Sequence, residues 1–343
     1  MKVALDAQLA IGTATGIGEY VRGLAGALRG AGDVDVVELS EPRLDPWRFD
    51  RRVIWDQLLL PQRARACGAD VLHCASGTIP LRTRLPVVAT VHDVAWLRVQ
   101  SHARPYARYY FGSFSLQRYL GAAQIAVDSE FSRGELASVL TSYDPGRMHV
   151  VYPGVAQDFC TLSRGPGDGR TILVVGTVEK RKNLEAIVRI LPHLAGARVV
   201  SVGPPTPYRD ECGALAHRLG VADRVEFRGY VNRRDLLGLY AACAVVAIPS
   251  HYEGFGYAAA QALCAGTPCI VADRGALPEI VAADAPVVPI DDLAAWKTAL
   301  ESALRGAEDS RAAQIRDAAI ARYSWPASAK KMAAIYHAAT SGD

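Results

Sequence analysis

The sequence predicts an α/β protein made of two doubly wound domains, each built on a parallel sheet. Short runs rich in β-branched residues alternate with amphipathic stretches along the whole chain, as strands alternate with helices. The runs are apolar on both faces, which is typical of parallel strands covered by helices. The chain has 343 residues, which is more than one ordinary core contains. We therefore expect two domains that face each other across a cleft lined by the carboxyl ends of the strands.

The predicted strands fall into a first and a second set. The first set covers residues 2–7, 34–40, 70–75, 86–93, 124–129 and 149–154. The second set covers residues 171–176, 197–203, 224–229, 243–250, 268–273 and 285–290. Helical patterns lie between several of the strands, for example at 17–30 and 131–141.

A change of composition marks the boundary between the two domains. In SRGPGDGR, residues 163–170, glycine, proline and polar residues replace the periodic pattern. After a helical stretch at 292–322 comes a last helical pattern, which begins after YSW with Ser324 as its cap. We expect an N-terminal domain of residues 1–162 plus the returning helix 324–343, and a C-terminal domain of residues 163–323.

Composition excludes several classes of protein. A formal charge of +3 gives no reason to expect nucleic-acid binding. The seven cysteines form no CxxC pair, which indicates a reducing compartment and not a disulfide frame. The first residues, MKVALDAQLAIG, do not resemble a signal peptide, and the longest apolar runs are too short to span a bilayer. We therefore expect a cytoplasmic protein.

Two loops of the first half follow predicted strands and are candidates for binding. In GTATGIGEYVRGL, Gly16 and Gly18 open a helix, so that backbone N–H groups can approach an anion or a sugar. The loop lacks the GxGxxG spacing of a dinucleotide site, and a plain tight turn explains it equally well. In VHDVAW, His92 can contact a sugar with Asp93 orienting it, or it is a structural histidine with Asp93 capping the next turn.

Three cations follow a strand of the second half. Lys180, Arg181 and Lys182 lie between Gly176 and a helix predicted to begin at about Asn183, whose side chain is expected to cap it. The helix macrodipole disfavours cations at this end, and a bound polyanion would resolve that conflict. The alternative is a basic turn exposed to solvent.

Glu253 begins the most unusual stretch, HYEGFGYAAAQALCAGTPCI at residues 251–270. A buried carboxylate without a partner is costly, so Glu253 is either paired or free to bind a ligand. Gly254 and Gly256 free the start of a helix of about ten residues that ends near Gly266. If helical geometry extends back to Glu253, Gln261 projects from the same side two turns later.

A basic aromatic stretch at residues 98–119 has two interpretations. It interleaves arginines with tyrosines and phenylalanines, namely Arg98, Arg104, Arg108, Arg118, Tyr106, Tyr109, Tyr110, Phe111 and Phe114. Such a stretch can lie on an anionic membrane surface. It can equally form an amphipathic helix that packs on the sheet with its arginines in solvent.

The order and spacing of these motifs resemble a known family. PSHYEGFGYAAAQALCAGTPCIVAD, GTVEKRKNL and VHDVAW, together with VVYPGV and YSW, are similar to motifs of the retaining GT-B glycosyltransferases of family four. The resemblance covers essentially the whole chain. It implies two Rossmann-like domains and the metal-independent transfer of a hexosyl group from a nucleoside-diphosphate sugar. No cofactor is implied beyond that co-substrate, and no DxD-like cluster that would hold a metal follows a predicted strand.

The resemblance also implies roles for single residues. Lys182 and Arg181 would neutralise the donor diphosphate, Glu253 would hold hydroxyls of the transferred sugar, and His92 would lie near the reacting carbon. Asp93 would lie on the acceptor side. The remaining implied contacts to the donor are Gly16, Gly18, Gly176, Thr177, Tyr230, Val231, Gly254, Phe255, Gly256, Tyr257 and Gln261.

Two positions depart from the family pattern. Gln261 stands where the family has a second glutamate that binds the ribose, and the loss of charge would weaken that hydrogen bond by about 1–2 kcal/mol. Thr177 stands where many relatives carry an arginine, and Arg181 would have to supply the missing charge.

The resemblance further implies mannosyl transfer in the assembly of surface polysaccharide, of the O-antigen or lipopolysaccharide kind. GDP-mannose is the expected donor, ahead of UDP- and dTDP-hexoses, and the expected acceptor is a saccharide or a lipid-linked saccharide. The enzyme would then be cytoplasmic or peripheral on the cytoplasmic membrane. The alternatives are a nucleotide-sugar epimerase of the same architecture and a silent nucleotide-sugar-binding subunit. A Rossmann oxidoreductase is disfavoured because the dinucleotide fingerprint is missing.

Overall fold

The structure is a computed structural model that describes residues 1–12, 16–99, 105–165, 167–306 and 310–341. The chain divides into two compact units. Unit 1 comprises Met1–Gly154 and Tyr323–Asp343, and unit 2 comprises Val155–Arg322. The predicted boundary at 162/163 lies eight residues after this division.

Unit 1 is built on a parallel sheet of six strands within the described residues. Their bounds are β1 Lys2–Asp6, β2 Asp35–Leu39, β3 Val71–Cys74, β4 Val87–Val91, β5 Gln124–Val127 and β6 Met148–Val150. The order across the sheet is β2-β1-β3-β4-β5-β6. Successive side chains of β1 alternate between the faces, so that Val3 and Leu5 enter one half of the core and Ala4 enters the other. All six strands predicted for this half are found, although the last, predicted over 149–154, ends at Val150.

Helices cover both faces of this sheet. Their bounds are α1 Gly16–Ala31, α2 Phe49–Ile54, α3 Leu60–Ala66, α4 Ala95–Arg98, α5 Pro105–Tyr109, α6 Ser115–Tyr119, α7 Glu130–Val139 and α16 Trp325–Ser341. Helices α1 and α16 pack on the face of Val3, and α3 and α7 pack on the face of Ala4. Two π-helical turns, Trp55–Leu59 and Tyr110–Phe114, join α2 to α3 and α5 to α6.

Two glycines, Gly23 and Gly154, make room for the first residue of helix α16. The indole of Trp325 lies so close to Gly23 of α1 that a Cβ there would be 2.1 Å from the ring. A Cβ on Gly154 would be 2.4 Å from the same ring. The YPG and YSW motifs therefore form one contact inside unit 1, to which α16 belongs.

A buried histidine holds α16 further along its length. His73 on β3 is fully buried, and its Nδ1 and Nε2 atoms lie 2.8 Å from the hydroxyls of Tyr336 and Thr90. Burial lowers the pKa of His73 from 6.5 to about 3, so the imidazole is neutral at physiological pH. This network joins α16 to the centre of the sheet.

The basic aromatic stretch is partly buried and partly exposed. Tyr110 and Tyr119 are buried against unit 1, whereas Tyr106 and Tyr109 are exposed. Arg118 donates to the carbonyl oxygen of Pro80 and is therefore not a purely solvated cation. Residues 100–104 of the stretch, including Arg104, lie outside the described residues.

Unit 2 is built on a second parallel sheet of six described strands. Their bounds are β7 Thr171–Val175, β8 Arg198–Val202, β9 Val225–Gly229, β10 Val245–Ile248, β11 Cys269–Ala272 and β12 Val287–Val288. The order is β12-β11-β10-β7-β8-β9. Each of these strands was expected from the sequence. Because β7 lies beside β10 in the middle, the loops that follow these two strands leave the same edge of the sheet.

The helices of unit 2 alternate with its strands. Their bounds are α8 Gln157–Cys160, α9 Leu184–Ile190, α10 Pro207–Arg218, α11 Arg233–Ala242, α12 Tyr257–Ala265, α13 Leu277–Val281, α14 Leu293–Leu304 and α15 Ala312–Arg322. Helix α12 ends as predicted at Gly266, which has a left-handed φ of 68°. All seven cysteines of the chain are free. Among the described residues, none of the helices has the length and apolarity needed to traverse a lipid bilayer.

Candidate functional site

The loops that follow β7 and β10 in unit 2 meet at the carboxylate of Glu253. Lys182 follows β7 and Glu253 follows β10, and the Lys182 ammonium lies 2.5 Å from Oε1 of Glu253. Glu253 is only 7% exposed. The structure therefore brings together the residues that the sequence analysis assigned to the donor sugar and to its diphosphate.

Arg181 fastens the two loops to each other. Its Nη1 atom lies 3.3 Å from Oε2 of Glu253 and donates to the carbonyl oxygen of Tyr252 at 2.7 Å. Its own carbonyl oxygen accepts a hydrogen bond from the backbone N–H of His251 at 2.8 Å. The carboxylate of Glu179 accepts hydrogen bonds from Nε and Nη2 of Arg181. Because Glu179 holds Nε and Nη2 while Tyr252 and Glu253 hold Nη1, the guanidinium has little rotamer freedom left to lose when a ligand binds.

The third cation of the loop points elsewhere. Lys180 is exposed and pairs with Glu211 on α10 at 3.3 Å. Asn183, the expected cap of α9, has a left-handed φ of 52° and its side chain makes no capping hydrogen bond. That expectation was wrong because Asn183 closes the short 3-10 turn of the three cations before the helix starts.

The charge of Glu253 is stabilised where it is buried. Burial alone would raise the pKa of this carboxyl, but the Lys182 and Arg181 cations beside it, with the hydroxyl of Ser250, hold the pKa below its usual range. Glu253 is therefore a carboxylate at neutral pH, and its charge is paired. The sequence left open whether Glu253 is paired; the structure shows that Lys182 and Arg181, in the loop after β7, are the partners of its charge.

Glycines permit the close packing of these loops. A Cβ on Gly203 would lie 2.0 Å from the carbonyl oxygen of Gly176, and a Cβ on Gly275 would lie 2.7 Å from the backbone nitrogen of Glu253. Ala276 donates to the carbonyl oxygen of Glu253 at 2.9 Å, so the loop after β11 holds the backbone of Glu253 in place. Gly203 and Gly275 could not be identified from the sequence, because only the packed loops show why no side chain fits there.

The helix that follows Glu253 starts later than required to align it with Gln261. Gly256 has a φ of 92° and α12 begins at Tyr257, so helical geometry does not extend back to position 253. The amide oxygen of Gln261 accepts a hydrogen bond from the hydroxyl of Tyr240 at 3.1 Å. The condition under which Glu253 and Gln261 would share a helix side is therefore not met.

The other predicted donor contacts of unit 2 lie around the same sheet edge. Gly176 and Thr177 directly follow β7, and Gly176 donates to the carbonyl oxygen of Val202 at 2.8 Å. Tyr230 and Val231 directly follow β9, and Tyr230 is 53% exposed. Gly254, Phe255 and Tyr257 lie between Glu253 and the first turn of α12, with the rings of Phe255 and Tyr257 5.3 Å apart.

In unit 1, His92 is held by a carboxylate that the sequence analysis did not select. Its Nδ1 atom lies 2.7 Å from Oδ2 of Asp128, and its Nε2 atom lies 3.0 Å from the carbonyl oxygen of Ala75. Asp128 directly follows β5, the neighbour of β4 in the sheet, and is buried. The position after a buried strand was the signal that could have identified Asp128. Its other oxygen, Oδ1, has no hydrogen-bond partner among the described residues.

The electrostatic environment of His92 favours its charged form. Burial alone would lower the pKa of the imidazole, but the Asp128 carboxylate and the Ala75 carbonyl raise it above the usual value. The Asp93 carboxylate accepts from the backbone N–H of Ala95 at 2.9 Å, and the hydrogen bonds of the His92 ring found among the described residues go to Asp128 and Ala75. The proposal that Asp93 orients His92 is thus replaced by Asp128, and Asp93 caps the following turn.

The glycine loop of unit 1 is described from Gly16 onward. A Cβ on Gly18 would lie 2.7 Å from the carbonyl oxygen of Leu9, so this glycine is required by packing, whereas Gly16 has open space around it. Helix α1 places Tyr20 edge-on against the ring of His92, with the centroids 4.9 Å apart. Residues 13–15 of the loop lie outside the described part of the chain. No cluster of three or more His, Cys, Asp or Glu side chains suited to a metal occurs in that part.

Comparison with known proteins decides the family. Residues 14–159 match the model described as Glycosyltransferase Family 4, and residues 163–321 match the model described as Glycosyl transferases group 1. The D-inositol 3-phosphate glycosyltransferase of Xylanimonas cellulosilytica is 34% identical over 289 residues, which are 76% of this chain and 68% of that protein. The chain is a group 1 glycosyl transferase. It spans 61% of the length of the relative with the same name from Mycobacteroides abscessus.

Solved structures confirm the fold of this glycosyl transferase. Sucrose-phosphate synthase from Thermosynechococcus elongatus has a TM-score of 0.76 at 21% identity and matches 98% of both chains. Anabaena Alr3699/HepE in complex with UDP and glucose has a TM-score of 0.71 at 17% identity, over 97% of this chain and 98% of that one. The predicted α/β fold of GT-B type, with two parallel-sheet domains, is therefore correct.

Proposed function

We propose that this glycosyl transferase moves a hexosyl group from a nucleoside-diphosphate sugar to a hydroxyl acceptor with retention of the anomeric configuration. One observation carries the proposal: Lys182 and Arg181 converge on the buried carboxylate of Glu253 at the carboxyl edge of one sheet. A sugar diphosphate presents hydroxyls to be accepted and phosphate charge to be neutralised. The cluster has a carboxylate that can accept hydrogen bonds from the hydroxyls and two cations that can neutralise the phosphates, and these groups lie within hydrogen-bonding distance of each other.

In this reaction the bond between the anomeric carbon and the diphosphate oxygen breaks. The electron pair leaves with the diphosphate, whose growing charge Lys182 and Arg181 stabilise. The acceptor oxygen forms its bond to the anomeric carbon on the face that the diphosphate leaves. The acceptor proton passes to a phosphate oxygen of the leaving group, so no protein base is required.

The fixed geometry of the cluster supports this assignment. Glu253 already positions both Lys182 and Arg181, and the carbonyl oxygen of Tyr252 also holds Arg181, so the developing charge would meet cations that need not reorganise. The backbone N–H groups of the first turn of α12 add positive potential beside Glu253. We expect this stabilisation to suffice without a metal ion, and turnover in excess chelator would test that expectation.

The donor and the acceptor are proposed at the level of chemical class. GDP-mannose remains the candidate that the loop sequence EKRKN suggests, and a UDP-hexose is supported by the UDP complexes of the related HepE structure. For the acceptor, the names of the curated relatives support a phosphorylated cyclitol such as D-inositol 3-phosphate. The motif resemblance supports a saccharide or a lipid-linked saccharide.

A panel experiment tests the proposal and separates these candidates. Thermal shifts with GDP- and UDP-linked hexoses identify the donor, since a ligand at a hundred times its Kd stabilises the fold by about 2.7 kcal/mol. Release of nucleoside diphosphate with each acceptor then measures transfer, and the anomeric proton signal of the product reports retention. Binding without release under any acceptor would instead support a silent nucleotide-sugar-binding subunit.

Two matched lysine variants test the role of the cluster. We expect Lys182→Ala to lower kcat/KM by about a hundredfold or more, because it removes a cation from the leaving group. Lys180→Ala is the control, since Lys180 is exposed and paired with Glu211. Equal losses in the two variants would contradict the assignment.

A further inference from the structure

The distribution of charge in unit 1 is strongly asymmetric. Residues 71–127 contain six arginines, no lysine and one acidic residue, Asp93. Arg82, Arg84 and Arg108 of this segment are exposed, and none of them pairs with a carboxylate of the described residues. Arg98 of the same segment pairs with Glu135, and the exposed Asp50 of the segment 49–58 pairs with Arg48 and Arg51. The positive charge without a carboxylate partner is therefore that of Arg82, Arg84 and Arg108.

Large apolar side chains are exposed beside these arginines. Leu58 is 63% exposed, Leu81 is 56% exposed and Tyr109 is 61% exposed, and Ile54 and Tyr106 are exposed as well. Scattered single apolar residues on a surface need no explanation, but a group of this size does.

Hydrogen bonds and ring contacts show that these residues belong to one surface. The side chain of Gln57, next to Leu58, accepts from the backbone N–H of Leu81 and donates to the hydroxyl of Tyr110, both at 2.8 Å. The ring of Phe49 lies 4.6 Å from that of Tyr106. Segments 49–58, 81–84 and 106–110 thus form a continuous face, called the basic apolar surface below.

The basic apolar surface is rigidly supported from beneath. The buried guanidinium of Arg52 lies 2.8 Å from the carboxylate of Asp56, and the hydroxyl of Tyr110 donates to the same carboxylate at 3.0 Å. Trp55 donates to Asp6 at the end of β1 at 2.9 Å. Both π-helical turns of unit 1 meet here, and such turns are frequent at functional sites. The exposed side chains are therefore held outward by the fold.

We propose that the basic apolar surface docks unit 1 on an anionic lipid bilayer. Leucine and tyrosine side chains enter the boundary between headgroups and acyl chains, and Arg82, Arg84 and Arg108 face the lipid phosphates. Charge complementarity selects this occupant, because these three arginines next to apolar side chains match anionic headgroups above hydrocarbon. The proposal goes beyond sugar transfer and does not depend on it.

Vesicle flotation of the full chain tests the proposal directly. Vesicles of phosphatidylcholine alone are compared with vesicles that contain about one third phosphatidylglycerol. We expect binding to the anionic vesicles only, and release at high salt, because arginine–phosphate attraction is screened. Absence of binding at low salt, or equal binding to neutral vesicles, would overturn the proposal.

Matched variants locate the binding to this surface. Replacing Arg82, Arg84 and Arg108 with alanine should weaken partitioning about fivefold per arginine, and about a hundredfold in the triple variant. The control triple variant replaces the exposed Arg170, Arg218 and Arg305 of unit 2, which gives the same change in net charge. Equal weakening by both triple variants would show attraction to net charge alone and would overturn the proposal.

A leucine pair tests the apolar half of the surface. Leu58→Ser with Leu81→Ser should reduce vesicle binding at least tenfold, whereas Leu219→Ser with Leu293→Ser in unit 2 should not. Sedimentation velocity distinguishes the competing occupant. A dimer of the wild-type chain that Leu58→Ser and Leu81→Ser dissociate would assign the surface to a second copy and overturn membrane docking.

Discussion

Gly23→Ala should destabilise unit 1, although replacing glycine with alanine inside a helix normally stabilises a protein. Gly23 lies inside α1, where the change from glycine to alanine normally stabilises by about 1 kcal/mol. Its Cβ would, however, lie 2.1–2.5 Å from three ring atoms of Trp325. The ring cannot retreat freely, because Gly154 contacts it as well. Overpacking of this kind costs about 1–3 kcal/mol, so after the helix gain of about 1 kcal/mol we expect a net loss of up to about 2 kcal/mol.

The same helix provides the control. Gly26 has no atom within 4 Å of its ideal Cβ, so Gly26→Ala should raise the free energy of unfolding by about 0.5–1 kcal/mol. Urea unfolding followed by tryptophan fluorescence measures both, because four of the five tryptophans lie in unit 1. In a Trp325→Ala background the penalty at Gly23 should vanish. The reasoning is refuted if Gly23→Ala stabilises the protein as much as Gly26→Ala does.

Three further predictions concern charged and titratable groups. Lys182→Met leaves Glu253 less well paired and should cost about 2 kcal/mol, most of it recovered when Glu253→Gln is added, as thermal unfolding would show. Asp128→Asn removes the carboxylate that raises the pKa of His92, so the pKa of that imidazole should fall in an NMR titration; an unchanged value would contradict the assignment. The lowered pKa of His73 means that its contribution to stability is complete above about pH 6.5 and is lost as pH falls toward 3. The slope of unfolding free energy against pH in that range should decrease by about 1.4 kcal/mol per pH unit in His73→Gln, and an unaltered slope would refute the account.

Periodicity and composition were sufficient to predict the architecture. Parallel strands buried on both faces produce apolar runs such as TILVVG that stand out from any helical pattern, and both sheets followed from them. The meeting of Glu253 with Lys182 was also predictable. Loops that follow neighbouring parallel strands leave the same edge, and both loops carried residues that are costly without a partner.

Features that depend on three-dimensional packing were not predictable from the sequence. The sequence offered Asp93 as the partner of His92 because it is adjacent in the chain, whereas the neighbouring strand supplies Asp128. The left-handed conformation of Asn183 arises from the turn before it, so its side chain could not act as the expected cap. Likewise, Gly203 and Gly275 are required by backbones that approach from distant loops, and no local pattern records such a contact.

The hydrogen bonds that join Arg181 to the backbone of His251 and Tyr252 have a consequence for protein engineering. Because these hydrogen bonds couple the two loops, a segment exchange that transplants residues 176–183 without 249–256 would break the register on which the cluster depends. Chimeras with a different sugar preference should therefore inherit both loops from the same parent. Across homologous sequences, substitutions in one loop should be accompanied by substitutions in the other.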